Sequence, residues 1–139
     1  MCFAIEFEYS GNSVEIGYND PDARLPILLK NNEVALEKWG VREIDCSPLP
    51  LGGWARLNSI RTSKLWKQWP GKPVKIAANR YLQKYSDGSE KWLDLNGKII
   101  QGMLVKEQSS YVVYVVTLPP NDSGLVCVPR IINKTLLRL

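Results

Sequence analysis

Residues 111–118 read YVVYVVTL. Six of these eight side chains are β-branched or aromatic before Thr117 and Leu118 close the run, a composition that suits a pleated, buried surface and predicts a central β-strand. The run is also the longest apolar stretch in the chain, and it falls far short of the roughly 20 residues a membrane-spanning helix needs. Working toward the N-terminus, Ile99 to Val105 predicts another strand, with Asn96-Gly97 before it as a hairpin signal. Lys91 to Leu95, a Ser86-Asp87-Gly88 turn, Tyr81 to Tyr85 and Val74 to Ala78 extend the series. Toward the C-terminus Leu125 to Val128 predicts a strand, and Ile131 to Leu139 fits helix and strand equally.

The N-terminal part continues the pattern. Phe3, Ile5, Phe7 and Tyr9 alternate with smaller or charged residues, Gly11-Asn12 punctuates, and Val14, Ile16 and Tyr18 alternate again, which predicts a β-hairpin. Pro21 and Pro26 bracket a turn, Ile27 to Leu29 is a short apolar run, and Val34 to Trp39 predicts a strand after Asn31-Asn32. Gly40 to Gly53, with Pro48, Pro50 and Gly52, predicts an irregular loop. One main helix is expected over about 58–69, capped by Asn58 or Ser59 and ended by Pro70-Gly71. On it Arg61, Lys64 and Lys67 fall at i, i+3 and i+6 and would share a flank. The expectation is a mostly β, α+β fold forming a single domain over 1–139.

Composition narrows the chemistry. The chain has no histidine, which excludes Ser-His-Asp and Cys-His arrangements, a histidine general base and a zinc site of the His-Glu-x-x-His kind. Cys2, Cys46 and Cys127 are odd in number and widely spaced, fitting neither a disulfide framework nor a Cys-x-x-Cys metal knuckle. They are expected to be reduced, with Cys46 and Cys127 as packing residues. No metal and no cofactor is expected. The first residues carry acid rather than the basic start of a secretory signal, so a cytoplasmic protein is expected, nucleoid-associated when bound to DNA.

The net charge of +4 conceals a division along the chain. Residues 1–55 carry −5, residues 56–91 carry +7 and residues 92–139 carry +2. The basic middle third contains Trp66, Trp69, Tyr81 and Tyr85. Cations meet phosphates and aromatic faces stack on bases, so this is the composition of a nucleic-acid surface. A solvated basic face over a tryptophan-containing core has the same composition, and the two remain open at this level.

Several segments, taken in order, resemble the SRAP (SOS-response-associated peptidase) family, which acts in the DNA damage response. Its members begin Met-Cys-Gly-Arg and carry Tyr-Asn-x-x-Pro, Trp-Gly, Asn-Ala-Arg-x-Glu-Thr and Ala-Asp-Gly-Phe-Tyr-Glu-Trp segments. This chain has Met1-Cys2, Tyr18-Asn19-Asp20-Pro21, Trp39-Gly40, Trp54-Ala55-Arg56-Leu57-Asn58-Ser59 and Ile76 through Tyr85. Thr62-Ser63-Lys64, Leu95-Asn96-Gly97, and the strand to Thr117 followed by Gly124-Leu125-Val126 add to the likeness. It spans about residues 18–128 plus the N-terminus, and collinearity carries it, since each short motif alone is weak. Family members are usually longer, so the chain resembles a shortened, divergent member.

The resemblance implies an SRAP-like mixed β-sheet or open-barrel core that binds single-stranded or junction DNA, abasic DNA included, without a membrane or metal partner. It also implies that Cys2, exposed by removal of Met1, reacts with abasic sites to form a thiazolidine. Gln83 aligns with the family's catalytic glutamate and Trp54 with its asparagine, and the histidine the family carries near Gly124 to Val126 is absent. Gln83 can hydrogen-bond but cannot act as a general base. Losing positioned acid–base groups removes on the order of 10²–10⁴ in rate, so the crosslinking or autopeptidase-type activity is slowed or lost. Arg56 aligns with the family's motif arginine and implies a DNA-backbone contact, joined by Trp54, Arg61, Lys64, Lys67 and Arg80 as candidate DNA-binding residues. The alternatives are a catalytically inactive SRAP-like pseudoenzyme that serves as a DNA-binding or protein-interaction module, and an unrelated basic β-domain that binds RNA.

Overall fold

Within the apolar run at 111–118, residues 112–117 form a stretch of strand buried on both faces, and the rest of the chain is arranged around it. In this computed structural model, which describes residues 3–119, 125–126 and 128–135, the chain is mostly β. In order, the elements begin β1 (Phe3–Tyr9), β2 (Asn12–Gly17), β3 (Arg24–Leu28), β4 (Val34–Trp39), β5 (Trp54–Arg56), α1 (Leu57–Thr62) and α2 (Lys64–Lys67). They continue with β6 (Lys72–Ile76), β7 (Arg80–Tyr85), β8 (Glu90–Asp94), β9 (Ile99–Glu107), β10 (Ser110–Leu118), β11 (Leu125–Val126), β12 (Val128–Pro129) and β13 (Ile131–Ile132). The expected mostly β, α+β class is what the chain forms.

Five strands close into a barrel. β10 pairs in parallel with β4; the pairs β4–β3, β3–β6 (through Ile27 and Ile76), β6–β9 and β9–β10 that complete the ring are antiparallel. The mixed sheet expected as an open barrel is therefore closed. β5 also runs parallel to β10, along the edge β4 leaves after Trp39. The intervening 40–53 loop is a fastened excursion whose two ends pair through Val41 and Gly52. Gly40 makes that junction possible: its φ is +68°, and a Cβ there would sit 2.3 Å from the Gly52 carbonyl oxygen. The Tyr114 hydroxyl donates to the Pro50 carbonyl at 2.7 Å and pins the middle of the loop.

A second sheet, ordered β11-β7-β1-β2 with β8 on the other side of β7, packs its inner face on the barrel. Ile5, Phe7 and Tyr81 from this sheet share one core cluster with Leu25, Ile27, Ile76, Ile100, Val113 and Val115. The alternate residues of β10, Val112, Tyr114 and Val116, face the other way into a second cluster with Trp66, covered by Leu57, Ile60 and Trp69. A strand buried on both sides needs apolar residues at every position, which is why 111–118 lacks polar alternation.

Two local expectations are corrected. The helix expected over 58–69 is two short helices, because Ser63 adopts an extended conformation (φ −75°, ψ 135°) and its side chain caps Leu65. Arg61 therefore lies on α1 and Lys64 and Lys67 on α2, so helical periodicity does not set a common flank. Asn96-Gly97 does form a turn with both residues at positive φ, yet it joins no hairpin. β8 stays on β7, with Leu95 donating to Asn79, while β9 enters the barrel. β8 keeps an exposed or half-buried surface in the outer sheet, whereas β9 is buried from Ile99 to Met103 in the barrel wall.

Candidate functional site

The segments that the resemblance aligns with a reactive centre meet around the N-terminal end of β1. Phe3 is paired with Gln83 of β7, and the next residue, Ala4, with Gly17 of β2. β11 joins β7 just beyond β1, with Val126 opposite Lys84 and Leu125 opposite Tyr85. Tyr18, which follows Gly17, packs edge-on against Trp54 with ring centres 4.8 Å apart. β1, β2, β7 and β11 thus meet here, and Trp54 reaches them through its ring contact with Tyr18. Cys2, Gly124 and Cys127 lie outside the described residues.

The chemistry of this place is more enclosed than the sequence suggests. Gln83 is only 2% exposed, pointing into the face between sheet and barrel, and its Nε2 donates to the Lys84 carbonyl at 3.0 Å. Trp54, Tyr18 and Trp39 form a three-ring cluster in which Trp54 and Trp39 lie 5.8 Å apart. The position where a compact polar group is expected is thereby filled with aromatic rings. The Trp54 Nε1 is enclosed without a hydrogen-bond partner, so its ring is held by packing rather than by polar contacts.

Arg42, which sequence reading passed over, clamps the same cluster. Its guanidinium lies 4.1 Å from the Tyr18 ring centre, and Nη2 donates to the carbonyls of Tyr18 and Asp20. Burial pushes the Tyr18 phenol above its ordinary pKa, with the Arg42 cation opposing. Only the tyrosine of Tyr18-Asn19-Asp20-Pro21 was legible; its partner comes from the loop 24 residues on, a distance no local pattern reports.

The candidate DNA-binding residues divide. Arg56, Arg61, Lys64 and Lys67 are exposed. They project from β5 and the two helices, whose other side is anchored by Leu57, Ile60 and Trp66. No Asp or Glu occurs anywhere in residues 46–86, so no carboxylate of this stretch competes for these cations. Two of the aromatic residues that suggested base stacking are core residues: Trp66 stacks edge-on against Tyr114 at 4.9 Å, and Tyr81 is buried. Leu65 is the exposed apolar residue on this side, at 49%.

Arg80 belongs to a different surface. Its guanidinium forms an ion pair with Glu6 and stacks over Trp92 with 4.9 Å to the ring centre. The Glu6 hydrogen bond, with Glu15 and Asp94 nearby, raises its pKa. A cation held among three carboxylates is poorly placed to receive a phosphate.

A shallow cleft of about 420 Å³ at the seam of the two sheets is lined by Asn79, Asp94, Asn96 and Lys98, with no part of the Gln83 cluster. Among the described residues no group of acidic or cysteine side chains is arranged to hold a metal ion, and no helix is long and apolar enough to cross a membrane. The chain matches no family model, no curated protein and no solved structure.

Proposed function

We propose that this protein binds single-stranded DNA through the basic surface of Arg56, Arg61, Lys64 and Lys67, and that Cys2, once Met1 is removed, forms a thiazolidine with abasic sites. The observation that carries the proposal is the convergence at the start of β1, where Phe3 faces Gln83, β11 adjoins on Lys84, and the Tyr18–Trp54 pair follows Gly17. Those are the segments an SRAP-like reactive centre requires, and they are far apart in sequence.

The chemistry asks little of the protein beyond the N-terminal residue. An α-amine with a pKa of about 8 is partly unprotonated at neutral pH. It adds to the C1′ aldehyde of a ring-opened abasic deoxyribose, and loss of water gives an imine. The Cys2 thiol then adds to the imine carbon while its proton passes to nitrogen, closing a five-membered thiazolidine. Gln83 accepts and donates hydrogen bonds there without relaying a proton, so the reaction is slow.

The test is a denaturing gel of untagged protein incubated with uracil-glycosylase-treated single-stranded DNA. A shifted band that disappears in Cys2→Ala and in protein retaining Met1 is the expected result. A second reading, a pseudoenzyme that binds DNA without covalent chemistry, is favoured by the ring-filled Trp54 position and the burial of Gln83. Intact DNA binding with no denaturation-resistant band would establish that reading instead.

A further inference from the structure

The charge division along the chain becomes a division in space. In the outer sheet the ladder alternates, so the residues opposite to buried Ile5, Phe7 and Tyr81 face solvent. On that outer face Glu6, Glu8, Glu15, Glu90 and Asp94 outnumber Arg80 and Lys84. At its middle the half-buried Leu82 and Trp92 are paired across β7 and β8. The basic surface has the matching design with opposite sign: exposed Leu65 amid Arg61, Lys64 and Lys67, with Arg56 beside them.

The two surfaces lie on opposite sides of the molecule. The outer sheet packs inward on the cluster containing Val113 and Val115, and the helices pack on the cluster containing Val112, Tyr114 and Val116, the other face of β10. An apolar centre with a charged rim is the arrangement of an interface anchor, and opposite rims favour encounter. From this we infer that the acidic outer face of the β1-β2-β7-β8 sheet docks the basic α1–α2 surface of a second copy of the chain. The contact joins unlike faces, so it is head-to-tail and builds open-ended rows rather than a closed dimer. It needs no nucleic acid and stands independently of the DNA-binding proposal.

Sedimentation velocity on the full chain tests this directly. At roughly 20 mM salt, where the screening length is on the order of 20 Å, the weight-average mass should at least about double as protein concentration rises. At roughly 500 mM salt it should return to that of the monomer. Glu15→Lys with Asp94→Lys makes both faces basic, and Lys64→Glu with Lys67→Glu cancels the positive charge of the helix surface while the outer face stays acidic. Each double variant alone should remain monomeric, and an equimolar mixture should recover association. All four positions are exposed, and the milder Glu15→Gln with Asp94→Asn pair should weaken association without reversing charge. A wild type that stays monomeric at low salt, variants that associate as the parent does, or a mixture no heavier than its components would overturn the inference. Binding of oligolysine by a strictly monomeric wild type would equally overturn it, by assigning the acidic face to a basic partner.

Discussion

β10 and β7 each run between neighbours on both edges, yet they are built by different rules. Val112 to Val116 of β10 are buried without exception, filling the barrel on one side and the helix-covered core on the other. β7 alternates: Tyr81 and Gln83 are buried while Arg80, Leu82 and Lys84 face outward, and one of the two buried residues is an amide. The first strand serves architecture, and the Tyr114 hydroxyl it buries is hydrogen-bonded to the Pro50 carbonyl. The second spends a core position on a hydrogen-bonding group beside the convergence of β1 and β11. A polar residue that interrupts an otherwise apolar face costs stability unless satisfied, so its presence marks where the chain departs from packing alone.

The largest expected effect falls on the architectural strand. Tyr114→Ala removes a fully buried ring stacked on Trp66, together with the hydroxyl that holds Pro50. It should cost about 3–5 kcal/mol in denaturant unfolding, whereas Tyr114→Phe should cost about 1 kcal/mol. If the two substitutions were equal, the ring would contribute little and the distinction drawn for β10 would fail.

Reversal of Arg61, Lys64 and Lys67 together comes next. Affinity for single-stranded DNA should drop by more than about tenfold near physiological salt, and the log–log salt slope should fall by about 2, near 0.7 for each lost phosphate contact. The melting midpoint should hardly change, since the three side chains are exposed. An unchanged salt slope would take the basic surface out of the binding site.

Gln83→Leu keeps the shape of the buried side chain and removes its donor to Lys84, at a cost of about 1 kcal/mol. Gln83→Glu sharpens the point further. Lys91, paired opposite the position on β8, favours the charged carboxylate, while 2% exposure favours the neutral acid. A carboxyl poised between these influences could move a proton, so adduct formation with abasic DNA should be faster than in the parent and absent when Cys2→Ala is added. No acceleration in a folded variant would assign Gln83 to packing.

The smallest effect is expected at Arg80. Its pair with Glu6 is partly exposed, so Arg80→Ala should cost under about 1 kcal/mol. DNA affinity should change by less than about twofold, because the carboxylates around Arg80 already occupy it. A loss as large as that of the helix reversals would move the DNA-binding surface onto the outer sheet.

The features legible in the residues alone were local ones. Alternation located the hairpin strands around 3–9 and 14–18, the β-branched run announced β10, and residues at positive φ made the turns at Gly11 and Asn96-Gly97. Side-chain period and turn conformation depend on neighbours a few residues away. The candidate Gln83 was legible through family likeness, and its burial was not. Pairing was decided only in three dimensions. Asn96-Gly97 turns as its residues require, but its strands go to different sheets, because burial on one face or on two is settled by what packs against them. Arg42 reaches Tyr18, β5 returns to the edge that β4 leaves, and Phe3 meets Gln83 across 80 positions. Such contacts gain their energy from burying surface and satisfying backbone groups contributed by remote segments, and no local pattern of residues records which segment will supply them.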